Sequence, residues 1–322
     1  METVAVLMSS YNGEEYIREQ IDSILGQENV HVLLFVRDDG SSDATRDIVE
    51  EYGKKHDNVM LWNRDDIKNL GVTRSFLTLL KEVMEKYPEI RYFAFSDQDD
   101  FWLPDKLSSA VERIRTAERK RDGACLYYSN KIYTDGALKT IKRDDIRCYG
   151  DYLEVLELCM AQGCVQVFNR EMARIAVSPF PEYDCYHDAW VYRLAKLTDA
   201  SVLFDPEPHI LYRQHGENAF GLRTIESMQT KWSSVLKIFN IPKVIRDLKN
   251  RGNNHWTQNM IRELYRTHGE DFGEDQKKKT GWVLDYDRNF VHGLNLAFRC
   301  GALRRGPKKF LLWCWQLLTN NL

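Results

Sequence analysis

The chain has 322 residues, 43% hydrophobic and 12% aromatic, enough for one large domain or two ordinary ones with a real core. Its net charge of −3 hides a division: residues 1–221 carry 27 Lys/Arg against 39 Asp/Glu, and residues 222–322 carry 18 against 9. That split sets an acidic, cation-using part beside a basic part facing an anionic partner, and with no recognised binding motif beside the charge it speaks against nucleic acid.

Seven cysteines show no CxxC pair and no zinc spacing, so they read as reduced thiols of a cytosolic protein. The opening METVAVLMSSYNG has neither a basic leader nor a cleavage site, so no signal peptide is expected. The longest apolar run, residues 310–318, is too short to span a bilayer, which takes about 20 residues.

The first half alternates strand and helix. Residues 4–8 form a short apolar strand, followed by Ser9-Ser10-Tyr11-Asn12-Gly13 and a helix with Ile17, Ile21, Ile24 and Leu25 on one face and Gly26 where a C-cap would stand. A second strand over 32–36 leads into Asp38-Asp39-Gly40-Ser41-Ser42-Asp43 and a helix carrying Ile48, Val49 and Tyr52. A third strand over 59–62 precedes a helix marked by Phe76, Leu79, Leu80, Val83 and Met84. The fourth, over 92–95, delivers Asp97, Asp99 and Asp100. Strands separated by helices predict an α/β fold with a parallel sheet, which binds ligands at the carboxyl ends of its strands. All three polar loops leave from such ends and are predicted to converge.

Further strands are expected over 126–129 and 165–168, and a helix over 187–197. From about residue 222 helical patterns take over, with Trp232/Leu236/Phe239, Trp256/Met260/Leu264 and Phe290/Leu294/Phe298. A domain boundary is placed near Gly221.

Within YFAFSDQDDFW, residues 92–102, three carboxylates crowd together and repel one another unless a positive group sits among them. Asp97 and Asp99, two apart just past a strand, suit Mg²⁺ or Mn²⁺, which take few carboxylates and complete their shell with water and phosphate oxygens. The competing use is an acidic turn capping the helix near Pro104, although Asp105 already stands ready for that start.

The set SSYNGEEYIREQIDSILGQ, VRDDGSSDAT, NLGVTRSF, FSDQDDFWLPDKL, QGCVQVFNR, HDAW and YRQHGENAFG resembles inverting glycosyltransferases of family 2 with the GT-A fold. More narrowly it is similar to the bacterial rhamnosyltransferase branch that builds cell-surface polysaccharides. The likeness covers residues 1–221. It implies that Ser9, Tyr11 and Asn12 line the nucleotide pocket, with Gln98 beside them. Asp39, with Asp38 as neighbour, would accept hydrogen bonds from the base, and Arg74 would face the nucleotide or diphosphate. Asp97 would address the ribose, Asp99 would bind the metal, and His215 would complete the metal site or close over the diphosphate. Asp188 would be the general base. The chain departs from the pattern at Ser75, at Ser129-Asn130 and at Gln166.

Inversion at a sugar carbon needs a base on the acceptor side and a stabilised leaving group opposite it, roles that Asp188 and the cation at Asp99 would fill. His187 is either a plain helix-start histidine or a substrate contact. Trp102 reads as a packing anchor before a sugar platform, Cys164 as a small packing residue before a reactive thiol, and Arg213 as a further acceptor-side candidate. In the basic tail, Arg304, Arg305, Lys308 and Lys309 precede an apolar stretch with Trp313 and Trp315, as an interfacial membrane anchor requires. Helical core packing and a homo-oligomer contact compete with that use. The expectation is a cytoplasmic enzyme, peripheral at the inner face of the plasma membrane, moving L-rhamnose from dTDP-rhamnose to a polysaccharide or lipid-linked glycan. A UDP-hexose donor and a catalytically silent nucleotide-sugar-binding scaffold are the alternatives.

Overall fold

The computed structural model describes residues 1–65, 68–146, 148, 150–156, 161–183, 185–216, 256–288, 290–307, 310–311 and 313–314. In chain order its elements are β1 (Glu2–Ser10), α1 (Ile17–Leu25), β2 (Val30–Asp38), α2 (Thr45–Lys55), β3 (Val59–Leu61), α3 (Val72–Lys86), β4 (Tyr92–Ser96), β5 (Phe101–Trp102) and α4 (Lys106–Glu118). Then follow β6 (Cys125–Thr134), β7 (Thr140–Arg143), α5 (Leu153–Leu156), β8 (Gln166–Asn169), α6 (Arg170–Val177), α7 (His187–Leu197) and β9 (Ser201–Arg213). The last helices described are α8 (Trp256–His268), α9 (Glu274–Leu284) and α10 (Phe290–Arg299). Two compact units result: Met1–Cys148 with Leu158–Arg213, and Tyr149–Glu157 with Gln214–Leu322. The division falls at the end of β9, and a short segment from the middle of the chain joins the basic unit.

The first unit holds a nine-stranded sheet in the order β3-β2-β1-β4-β8-β6-β9-β5, with β7 paired to β6. The expected β/α units form the parallel half, β3-β2-β1-β4. Residues 4–8 of β1 and 92–95 of β4 are fully buried, because a parallel strand between crossover helices meets protein on both faces. Helix α3 buries Phe76, Leu79, Leu80 and Val83 at i, i+3, i+4 and i+7, each contributing about 1.5–3 kcal/mol of apolar burial.

The other half makes the sheet mixed, in keeping with the mostly parallel sheet that the resemblance implies. β8 runs antiparallel to both β4 and β6, and β5 antiparallel to β9. β8 comes late in the chain yet inserts beside β4, so no crossover helix dictates its direction. Gly26 is the C-cap of α1 as expected, at φ −78 with its N–H bonded to Asp22 O. One local expectation changes. Asp105 makes no side-chain cap to α4, because its carboxylate pairs with His209 Nδ1 at 3.0 Å.

In the second unit Met260 and Leu264 of α8 are buried as their spacing predicts. Asp151, just before α5, is gripped by Arg305 at 2.5 and 3.0 Å, and Tyr152 bonds Thr280 Oγ1 at 3.0 Å. The tail differs from a simple membrane anchor: Trp313 is 3% exposed and Arg305 is spent on Asp151. Lys308, Lys309, Trp315 and the Trp232/Leu236/Phe239 pattern lie outside the described residues. No described helix is long and apolar enough to cross a membrane.

Candidate active site

The carboxyl ends of β1, β2 and β4 do meet. Gln98, after β4, clasps the backbone of Tyr11, after β1: Tyr11 N–H donates to Oε1 at 2.8 Å and Gln98 Nε2 donates to Tyr11 O at 2.9 Å. Asn12 turns the chain in the left-handed region (φ 48), where its short amide is tolerated. Its N–H donates to Ser41 Oγ and its Oδ1 accepts from Ser42 N, tying the β1 loop to the β2 loop. Ser9 Oγ meets Ser75 Oγ at 2.6 Å, so the serine that departs from the family pattern holds the end of β1 to α3. The Tyr11 ring is left 53% exposed over this edge.

Asp38 and Asp39 divide their labour. Asp38 is fully buried and spends its oxygens on its own loop and on the end of β1, accepting from Gly40 N, Ser41 N and Ser41 Oγ and from Ser10 Oγ. It shapes the turn. Asp39 accepts from Arg37 Nη1 (2.6 Å) and Leu70 N (2.8 Å) on Oδ1, and from Gly71 N (2.9 Å) on Oδ2. Gly71, at φ 75, is the residue that lets the chain bend back onto this carboxylate before α3 begins. Arg74 stands exposed in the first turn of α3.

Asp97, Gln98 and Asp99 are half-buried and Asp100 is fully buried. Burial, then Asp99 and Asp188, push the Asp97 carboxyl up to about 7. The same crowding raises Asp100 well above the carboxylate range, through burial first and then Asp99 and Asp97. Lys131, 4% exposed and held near Asp144, acts in the opposite sense on both. One oxygen each of Asp97 and Asp100 and the Cys164 sulfur lie within 4.8 Å of one another. Burial pushes the Cys164 thiol well up, as for a small side chain packed in the core. The donors that remain are the hard oxygens of Asp97 and Asp100, the kind that Mg²⁺ or Mn²⁺ takes, whereas Asp99, the expected metal ligand, is half-buried between them in sequence and is not part of that trio.

Asp188 opens α7, at the positive end of its dipole. Oδ1 accepts from Ala189 N at 2.6 Å and Oδ2 from Gly163 N at 3.1 Å. Gln166, another departure from the pattern, explains itself here: its Nε2 bridges Ala161 O (2.7 Å) and Asp188 O (2.8 Å), holding the turn that carries Asp188. Gly163 is required by close approach, since a Cβ there would meet His187 Nε2 at 2.6 Å. His187 is a core residue and not a substrate contact. Its ring stacks on Phe76 (centroids 3.9 Å apart) and meets Phe95 edge-on, and neither ring nitrogen has a hydrogen-bond partner among the described residues. Burial pushes it down to about 4.

Arg213 is likewise no acceptor contact, because its guanidinium is already used. It donates to Asp99 O, Gly136 O and Glu19 Oε2 and lies over the Tyr16 ring at 4.5 Å, while its N–H donates to Asp100 Oδ1. It fastens the end of β9 to the acidic loop. Trp102, 1% exposed, is a packing anchor with the Lys106 ammonium 3.7 Å from its ring centroid; burial lowers that lysine to about 7. His215 lies two residues beyond β9, in the second unit. Gln98 as a clasp, Gly163 and Gln166 as supports of Asp188, and Lys131 as counter-charge were not assigned these roles from sequence. Gln98 is expected only as a nucleotide contact and Gln166 only as a departure from the family pattern, while Gly163 and Lys131 carry no local signal.

The family model described as glycosyl transferase family 2 matches residues 5–174. The dTDP-rhamnosyl transferase RfbG of Shigella flexneri is 31% identical over 224 residues, 66% of this chain and 73% of that protein. Among solved structures, S. aureus TarS 1-349 aligns with 100% of this chain and 89% of its own, at TM-score 0.53 and 15% identity. Its complex with UDP-GlcNAc aligns at TM-score 0.51. These structures share the fold.

Proposed function

The chain belongs to glycosyl transferase family 2, and from that premise we propose that it transfers L-rhamnose, with inversion, from dTDP-rhamnose to a cell-surface polysaccharide or lipid-linked glycan. The observation that supports the reading is that Gly163 N–H bonds Asp188 Oδ2 while the sulfur of the next residue, Cys164, lies within 4.8 Å of oxygens of Asp97 and Asp100, so the carboxylate proposed as base and the loop proposed to hold the cation would share one site. The rhamnosyl donor is supported by kinship with the dTDP-rhamnosyl transferase.

Asp39, fixed by Arg37 and the Leu70–Gly71 backbone, keeps Oδ2 with a single accepted bond and so offers an acceptor to the imide N–H of the base. The Gln98 clasp holds Tyr11 where the nucleotide would lie. Arg74 supplies charge to the diphosphate. Asp99 and Asp97 would hold Mg²⁺ or Mn²⁺, which when bound stabilises the departing diphosphate. Asp188 keeps a lone pair on each oxygen beyond its bonds to Gly163 and Ala189, and takes the acceptor hydroxyl proton as the new C–O bond forms. The two backbone bonds fix its orientation before substrate arrives.

Such an acceptor places the enzyme on the cytoplasmic side, peripheral at the anionic inner face of the membrane. The test is turnover with dTDP-rhamnose and with UDP-hexoses in Mn²⁺ and in Mg²⁺, with the anomer of the product read by NMR. Turnover of UDP-hexose alone would replace the donor, and a retained anomer would remove Asp188 as the base.

A further inference from the structure

Helix α10 is apolar on two opposite sides. Gly293, Leu296, Ala297 and Cys300 are buried, whereas Val291, Leu294 and Phe298, three and four residues apart, are 67%, 37% and 53% exposed. Leu294 and Phe298 belong to the pattern from which a buried face is expected, and the structure turns them outward. Exposed His292, Asn295 and Arg299 form a polar strip between the two sides, and an outward apolar side bordered by such a strip suits a helix lying at an interface. Beyond the helix Leu303 and Leu311 are 53% and 54% exposed, and Phe310 packs on Phe298 with centroids 4.9 Å apart, so the apolar area is continuous.

Cations border it. A cavity of about 390 Å³ is lined by Lys279, Phe298, Arg299, Leu303 and Arg304 together with Asp151. Asp151 is already neutralised by Arg305, so it does not cancel the other charges. Arg299 is steadied over the Trp282 ring at 4.8 Å, and Arg304 is exposed. A partner must therefore be apolar against Val291, Leu294 and Phe298 and anionic a few ångströms away at Arg299 and Arg304. A second copy of the same face fails on charge, since an isologous contact sets these guanidinium groups among like charges. An anionic bilayer meets both demands.

We infer that the exposed side of α10, continued by Leu303 and Leu311, is the surface on which this protein docks to an anionic bilayer, with the cavity beside Arg299 and Arg304 receiving a lipid phosphate. The inference deepens the membrane reading given above and rests on it, while moving the contact from the Trp313 region to α10.

The full chain is floated with vesicles of phosphatidylglycerol and phosphatidylcholine in equal parts, and with phosphatidylcholine alone, at low and high salt. Binding to the anionic vesicles only is expected. Arg299→Gln with Arg304→Gln should weaken it roughly 30-fold at low salt, since each basic residue contributes about a factor of 5. Val291→Ser with Phe298→Ser should weaken it by on the order of 100-fold at every ionic strength. Hydrolysis of soluble donor should be unchanged in both variants, so the catalytic reading stands or falls separately. All four side chains are exposed and the variants should melt as the wild type does; Val291→Ser alone carries the test if the double variant melts early. Wild type that ignores anionic vesicles at low salt overturns the inference, as does binding that survives both pairs of substitutions. A lipid-free dimer that Phe298→Ser dissociates would give the face to a second copy instead.

Discussion

Replacing Asp188 by Asn tests the base with the smallest change of shape. In the wild type one oxygen takes the Ala189 N–H at 2.6 Å and the other the Gly163 N–H at 3.1 Å. Asn keeps one acceptor and must turn an NH₂ toward the second N–H, losing a charge-assisted bond and leaving a donor unpaired. The structural cost is about 1–3 kcal/mol. The chemical cost is larger: an amide cannot take the acceptor proton, and a positioned base contributes about 10²–10⁴-fold. We therefore expect kcat to fall by that factor while donor affinity changes only a few-fold, because the nucleotide contacts are on other loops. The assay pairs steady-state transfer with donor titration by calorimetry, and a thermal melt checks the fold. Donor affinity that collapses while saturated turnover is kept would show Asp188 to be a binding residue.

Asp99→Ala should abolish metal-dependent donor binding and transfer while the chain stays folded, and EDTA should mimic it; full activity in EDTA removes the cation from the reaction. Gln166→Leu removes two buried hydrogen bonds, to Ala161 O and Asp188 O, so denaturant unfolding should show a loss of about 1–3 kcal/mol, with turnover falling and donor affinity kept; unchanged stability and turnover would refute its role in holding Asp188. His187 is neutral in the fold down to about 4, against about 6.5 when unfolded, so below pH 6.5 only the unfolded chain gains a proton. Its contribution is complete above pH 6.5 and is lost as pH falls toward 4, by about 3 kcal/mol; His187→Leu should flatten that part of the stability curve, and an unchanged curve would show that the buried imidazole does not govern it.

The elements of the parallel half were legible because their signals are local. Ile17, Ile21 and Ile24 share a helical face, the run 92–95 reads as a buried strand, and the carboxylates of Asp97, Asp99 and Asp100 follow that strand within a few residues. The α7 helix was likewise readable from residues 187–197 alone. Tertiary structure decided whatever depends on distant partners. The order β4-β8-β6-β9-β5 joins strands far apart in the chain, and no local period encodes which edge a late strand finds. Two adjacent aspartates look alike in sequence, yet Asp38 is consumed by its own turn while Asp39 meets Leu70 and Gly71. Arg213 reads as a free cation until Glu19, Gly136 and Asp99 close around it. In α10 the spacing of Leu294 and Phe298 specifies a face, but only the packing of Leu296, Ala297 and Cys300 decides which face turns outward, because one helix can bury one side against the rest of its unit and leave the other to a different solvent.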